Sequence, residues 1–434
     1  MHGTSPRFQE IRSAISGIPV VDCHDHIARR EKVTDIYELV VTFYLGNDFA
    51  TVVGESGLAF INDQSHTIAE RYELFSRAWD ACKLSSYGTA TRRALTKLFD
   101  DDDPTLDNLE RWARQMPDFS RPEVFDTFIS ESGIVASISD NWPEPAEVWN
   151  GTWNSLPWQQ LAIALPPFHD VTSRDDITRL ERPANRTVTS LAEYEQLCAD
   201  YFQRWIALGA VAMKDQSAYM RSLDYGLPTR SDAERVFNRI LAENRYRAEY
   251  DPHDNVLSDY LFHSCLRMAR EMELPVQLHT GHMAGPRNDV RRANASLLTS
   301  VLEIHRDVHF DLFHGNWPYS GELLFLAKNY ENVSIDMCWA PAVDPLYARD
   351  LLRRALVTVP RTKIHAFGSD VTGTAPQMVW AYAELMRDVV AAALAESIDE
   401  GLVTEVEAVE TARMWLLENP TNYFNLDAGA RATG

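Results

Sequence analysis

Six side chains in this 434-residue chain are of the types that hold a divalent metal and move protons: His24, His26, Lys214, His279, His314 and Asp370. The first two close the apolar run Val20-Val21-Asp22-Cys23-His24-Asp25-His26. Alternate residues of a β-strand share a face, so His24 and His26 can direct both imidazoles at one point. Neutral imidazoles converging from a strand end are a natural start for a metal site. By itself, His-x-His is just as readily two histidines in a surface turn. The other four have ordinary readings too. A histidine after a strand is commonly a hydrogen-bonded loop residue, and a lysine commonly faces solvent. Asp370, followed by Val371-Thr372-Gly373, has the form of a helix N-cap. What sets the six apart is where the chain places them.

Short apolar runs alternate with helical periodicity along most of the sequence. Strand 1 delivers His24 and His26. Residues 134–138 read as strand 2, ending at Asp140-Asn141, and residues 161–165 as strand 3. Residues 210–214 read as strand 4, ending in Lys214, and 275–279 as strand 5, ending in His279. Strand 6 covers 308–314 and ends in His314, strand 7 covers 333–337, and strand 8 covers 364–370 and ends in Asp370. Helices are expected at 8–15, 190–208, 232–248, 257–272, 296–305, 321–330, 346–357, 376–397 and 403–417. Between residues 28 and 122 the alternation is interrupted by apolar residues at three- and four-residue steps. The expectation is an α/β protein, a distorted (β/α)8 TIM barrel with a helical insertion after strand 1. Residues 1–27 and 123–434 would form the barrel, and 28–122 would lie over its mouth. In a parallel barrel, functional groups gather at the C-terminal ends of the strands, where these six fall. An open doubly wound sheet is disfavoured because no glycine-rich dinucleotide fingerprint follows strand 1.

Composition limits the partners. Asp and Glu number 63 against 41 Lys and Arg, a formal net charge of −22, which disfavours nucleic acid and anionic membranes. The five cysteines, Cys23, Cys82, Cys198, Cys265 and Cys338, are scattered without a Cys-x-x-Cys pair, so neither a disulfide framework nor a thiolate zinc site is signalled. No signal-like segment or long apolar run occurs, and a cytoplasmic protein acting on a small molecule is expected.

Together these residues resemble the amidohydrolase superfamily: His-x-His after strand 1, Lys after strand 4, His after strands 5 and 6, Asp after strand 8. The segments from Met213 to Arg221, from Gln277 to His282 and from Phe313 to Tyr319 are similar to the amidohydrolase-2 branch, in particular the nodulin/FluG-type domain. The helical block after strand 1 is similar in outline to that of uronate isomerases. Trp415 to Pro420, with Tyr423-Phe424, is similar to the superfamily's terminal helix. The resemblance implies one divalent metal held by His24, His26, His279 and Asp370, with zinc preferred and manganese or iron as alternatives. A second metal is implied only if Lys214 is carboxylated; the free amine is the preferred form. Asp370 would activate a metal-bound water, and His314 would polarise the substrate. Lys214, Arg221 and Arg287 would suit a substrate carboxylate. Tyr219, His282 and Trp317 would line the pocket, and homo-oligomers are common in the superfamily.

Three functions compete. A hydrolase would attack an amide, lactone or similar carbonyl centre of a small, carboxylate-bearing substrate. A non-hydrolytic enzyme on the same scaffold would isomerise a uronate or other sugar acid, or decarboxylate. Decarboxylase relatives often carry Glu-x-His where this chain has His24-Asp25-His26. A binding protein without turnover is disfavoured because the expected acid and base groups are all present.

Overall fold

Eight short runs rich in β-branched and aliphatic residues lie side by side, all parallel, in a computed structural model that describes residues 5–29, 32–243, 245–248 and 255–426. They are β1 (Val20–Ile27), β2 (Ile134–Ser139), β3 (Gln159–Ala164), β4 (Ala210–Asp215), β5 (Val276–Leu278), β6 (Phe310–Leu312), β7 (Val333–Asp336) and β8 (Ile364–His365). Each pairs with the next in order. The ring closes through the segment after β8. On one side Met337 and Trp339 N–H groups donate to His365 and Gly368 carbonyls (both 2.9 Å). On the other, Cys23 donates to Phe367 (2.9 Å), His26 to Val371 (3.0 Å) and Asp370 to the His24 carbonyl (2.9 Å). The fold is the expected (β/α)8 barrel.

The eighth strand departs from its expected 364–370 span. Regular pairing stops at His365, and a ninth short strand, β9 (Thr372–Gly373), pairs with the end of β1. The break falls where Asp370 takes a positive φ of 54°, a turn that no strand accommodates. The expected helix 403–417 is also interrupted. It runs as an α-helix over Glu405–Arg413, widens to a π turn at Met414–Glu418, and resumes as Asn419–Tyr423. That wider turn frees the Trp415 carbonyl to accept the Ala366 N–H just beyond β8 (2.9 Å). The expected helix 232–248 ends at Ala242; residues 244 and 249–254 lie outside the described part.

Between β1 and β2 the chain forms helices Ile36–Val40, Phe43–Ile61, Ile68–Cys82, Ser86–Phe99 and Leu106–Ala113, and then Pro122–Ser132, which leads into β2. Phe43–Ile61 is not announced by the sequence spacing. It carries Gly46, Gly54 and Gly57, and is kinked at Gly54 (φ 76°). Its approach is set by a buried ion pair: Arg71 grips both oxygens of Asp35 and donates to the Ile61 carbonyl (3.0 Å), while Asp35 caps Ile36–Val40 through the Tyr37 N–H (3.2 Å). One apolar cluster runs through these helices and the barrel's outer layer, from Phe8 to Leu416. A smaller one fills the barrel interior on the first four strands, with Val21, Cys23, Ala136, Ile138, Ala162 and Ala212 plugged by Phe424.

Candidate active site

The strand ends bring the expected groups together by specific local devices. The β1–β2 register slips between Asp22 and Asp25, an irregularity of the kind that re-aims side chains at barrel rims. Asp22 fixes it: its carboxylate accepts from the His24 N–H (3.2 Å) and from the Ser369 N–H (2.8 Å), tying β1 to the residue before Asp370. His24 and His26 then face each other Nε2 to Nε2 at 3.2 Å. Asp370 Oδ1 lies 3.4 Å from His26 Nε2 and 3.9 Å from His24 Nε2. His26 is oriented by the Asp140 carbonyl, which takes its other ring nitrogen. One atom from each of His24, His26 and Asp370 falls within a 4.8 Å cluster.

His279, expected as a ligand, lies beside that cluster and outside its 4.8 Å grouping. Its Nδ1 meets His314 Nε2 (3.1 Å) and its Nε2 meets the His282 carbonyl (2.7 Å), so both ring nitrogens are taken. It belongs to no ligand cluster among the described residues. His314 is held through Nδ1 by the Cys338 carbonyl (3.0 Å), with Nε2 3.8 Å from Asp370 Oδ2. His314, Cys338 and Asp370 form a second 4.8 Å cluster, which makes Cys338 a donor that the sequence did not single out.

The electrostatics favour a cation beside Asp370. Burial would raise the Asp370 carboxyl, but the His26 hydrogen bond and the His26 and Lys214 charges hold it below its usual value. Burial works against a charged His26, yet Asp370 and Asp140 lift it to about 9. Burial pushes His24 and His279 well down, with the neighbouring histidines and Lys214 adding to it. Burial takes His314 to about 3 and His282 to about 4, against the pull of Asp370. Lys214 is buried with its Nζ over the Phe313 ring (4.5 Å), and burial lowers its affinity for the proton while Asp140 and Asp370 oppose that.

His24, His26, Asp140, Lys214, His279 and Asp370 line a cavity of about 600 Å³, which His314 and His282 do not reach. Lys214, Tyr219 and Arg221 line it as expected. Tyr219 packs 4.8 Å from the His279 ring and accepts the Ala284 N–H (3.0 Å). Arg221 is buried rather than on a loop surface, ion-paired with Asp259 (2.5 Å) and stacked on Tyr225 (4.3 Å). Arg287 does not reach the cavity: it turns outward, 78% exposed, and pairs with Glu55. His282 and Trp317 stand behind the wall, ring to ring at 5.4 Å, with the Trp317 indole directed at Asp344 (3.4 Å).

Four wall residues lie outside the expected site set. Tyr44, from the helices after β1, donates its hydroxyl to the Asp370 carbonyl (2.5 Å), and Phe43 lies beside it on the wall. Asp140 is buried on the wall next to Trp142, and burial raises it against the pull of His26 and Lys214. Its place at the end of β2 was the available signal. Trp142 follows two residues on, its ring 4.9 Å from that of His26. Trp142, His314, Trp339 and Asp370 all have positive φ (45°, 62°, 60° and 54°), a concentration of backbone strain that marks functional sites.

The sequence model of the family described as Amidohydrolase matches residues 165–419, more than half of the chain. Protein fluG of Emericella nidulans is 25% identical over 272 residues, covering 56% of this chain and 30% of that protein; the match thus spans less than a third of the relative. Among solved structures, a uronate isomerase from Thermotoga maritima superposes with a TM-score of 0.77 at 12% identity, covering 97% of this chain and 98% of that one. A glucuronate isomerase from Caulobacter crescentus gives 0.74 at 16% identity, covering 98% and 96%. A Lactobacillus casei protein described as a metal-dependent hydrolase gives 0.63 at 16%, covering 97% and 99%. At these identities the structures establish the shared fold. No helix among the described residues is long and apolar enough to cross a membrane.

Proposed function

The chain belongs to the amidohydrolase family, and we propose that it is a metal-dependent hydrolase of an amide, lactone or similar carbonyl centre in a small, carboxylate-bearing substrate. The reading rests on one observation: Asp370, buried and held ionised, meets His24 and His26 at the floor of a cavity that also contains Lys214. Two imidazoles and a carboxylate whose donor atoms lie within 4.8 Å of one another suit zinc, with manganese or iron as alternatives. A divalent metal supplies Lewis acidity and brings the pKa of a bound water toward about 7.

The chain's own residues do the rest. Asp370 accepts the proton of the attacking water and hands it to the leaving group. His314, held through its Nδ1–H by the Cys338 carbonyl, keeps Nε2 3.8 Å from Asp370 Oδ2 and, once protonated there, donates to the carbonyl oxygen as charge builds. Lys214, uncarboxylated and in its ammonium form, and Arg221 attract the substrate carboxylate. His279, expected as a further ligand, stands with its Nδ1 3.1 Å from the His314 Nε2. We take residues 1–27 and 123–434 as the barrel and 28–122 as an insertion over its mouth, a division supported by Phe43 and Tyr44 on the cavity wall.

Isomerisation of a uronate is the second reading, favoured by the full-length likeness to uronate isomerase structures. Metal-loaded protein assayed on N-acyl amino acids, lactones, uronates and aromatic carboxylates separates the two. Release of acid from an amide or lactone is the expected result. Interconversion of a uronate with no hydrolysis anywhere on the panel overturns the hydrolytic reading.

A further inference from the structure

Trp142 is held in a way the fold alone does not require. Its backbone sits at φ 45°, where bulky residues are seldom found, yet its side chain is 56% exposed and tilts over His26. Three more large apolar side chains stand in the open on the same cavity: Phe43 (55% exposed), Met220 (60%) and Tyr219 (36%). They come from two other segments, the start of helix Phe43–Ile61 and the turn after β4. Apolar surface gathered from separate segments at a cavity mouth is covered favourably only when a ligand arrives. Trp142 also belongs, with Pro166, Asp170 and Gln216, to the wall of an adjoining cavity of about 500 Å³ floored by Phe168, Tyr201 and Trp205. On that shared wall two buried oxygens, Asp170 Oδ1 and Gln216 Oε1, lack a protein hydrogen-bond partner. Acceptors left unpaired in this way call for donors on the ligand.

We propose that the substrate carries, on its reacting carbonyl, an aromatic arm that lies on Trp142 and runs toward the adjoining cavity, with the N–H of the same head group facing Asp170 and Gln216. An aryl carboxamide has these parts; a polyhydroxylated sugar acid has the donors but not the arm. The inference rests on the hydrolytic reading for its choice of head group. Hydrolysis of N-benzoylglycine would take up one water, break the C–N bond, and release benzoate and glycine.

The test uses three probes on the metal-loaded full chain: N-benzoylglycine, N-acetylglycine and D-glucuronate, with binding followed by calorimetry. N-benzoylglycine is expected to bind at least about tenfold more tightly than N-acetylglycine, a step of about 1.4 kcal/mol. Trp142→Ala and, separately, Phe43→Ala are expected to bring that ratio toward one, with metal content and circular dichroism unchanged. Equal binding of the two acylglycines, no binding of N-benzoylglycine at millimolar concentration, or tightest binding of D-glucuronate overturns the proposal. Glycine release is read separately. A ring preference that depends on Trp142, together with no glycine release here and no hydrolysis anywhere on the amide and lactone panel, would leave the arm standing and defeat the hydrolytic reading.

Discussion

The hydroxyl of Tyr44 offers a sharp perturbation, because it joins the helices after β1 to the most heavily used carboxylate. It donates to the Asp370 main-chain carbonyl at 2.5 Å, and both residues are 5% exposed. Asp370 sits at φ 54°, a conformation costing on the order of 1–3 kcal/mol for a residue other than glycine. Its backbone is held by two bonds: its N–H to His24 and its carbonyl to Tyr44. Tyr44→Phe removes one of them and little else, since the ring keeps its packing on Trp339 (4.5 Å) and Tyr87 (5.6 Å). A buried carbonyl left unpaired costs about 1–3 kcal/mol. Relaxation of Asp370 recovers part of that by moving the carboxylate away from His24 and His26, which transfers the loss to the metal. At about 1.4 kcal/mol per tenfold, the expected outcome is roughly 5- to 100-fold weaker metal binding, within the range known for groups that orient metal ligands. Chelator competition on wild type and Tyr44→Phe at fixed pH measures it. Metal affinity within twofold of wild type, with the thermal midpoint lowered as expected for a lost buried hydrogen bond, would refute the reasoning: Tyr44 would then be a packing residue only.

Asp370→Asn keeps the shape of the side chain and removes its capacity to take a proton, so turnover should fall at least ~100-fold while the fold persists by circular dichroism; retained turnover would remove it as the proton carrier. His24→Asn should strip the metal from purified protein, whereas His279→Asn should retain most of it and lose activity instead, because both His279 ring nitrogens are occupied elsewhere; elemental analysis of the two variants decides. Arg287→Ala should leave stability within about 1 kcal/mol and KM unchanged, since its exposed pair with Glu55 lies off the cavity; a raised KM would return it to the site. His305, pushed down to about 4 by burial and its stacked neighbour His263, favours the folded state when neutral. Its contribution is complete above its unfolded value near 6.5 and is lost as pH falls from there toward 4, so the thermal midpoint of wild type should drop more between pH 7 and pH 5 than that of His305→Gln.

How much of this the sequence carried follows from what strand ends share. In a parallel barrel the last residue of each strand points into one common mouth, so Lys214, His279, His314 and Asp370 could be grouped from spacing alone. Spacing does not determine how a ring is turned. His279 reaches the right place, but the His282 carbonyl three residues later and the His314 ring across from it decide where its nitrogens point. Nor does spacing choose between two arginines in neighbouring loops. Arg221 is drawn inward by Asp259 on the helix Val256–Glu271, and Arg287 is drawn outward by Glu55. Tyr44 and Phe43 were out of reach for a stronger reason: they reach the site through the Arg71–Asp35 pair, a contact made 36 residues apart in sequence.

That pair also explains why the helices after β1 belong to the chemistry and not only to the shell. Arg71 is buried against Asp35, Asp35 caps the short helix Ile36–Val40, and the next helix begins at Phe43. Two consecutive residues then split the work. Phe43 presents an exposed ring at the cavity mouth, and Tyr44 turns inward to hold the Asp370 backbone. Position along one helical turn thus couples the specificity surface to the metal-facing carboxylate. A shift of this helix moves both together. Loosening the buried pair with Arg71→Met should therefore weaken metal binding and broaden substrate preference in the same variant. A change confined to the mouth, such as Phe43→Ala, should alter preference alone.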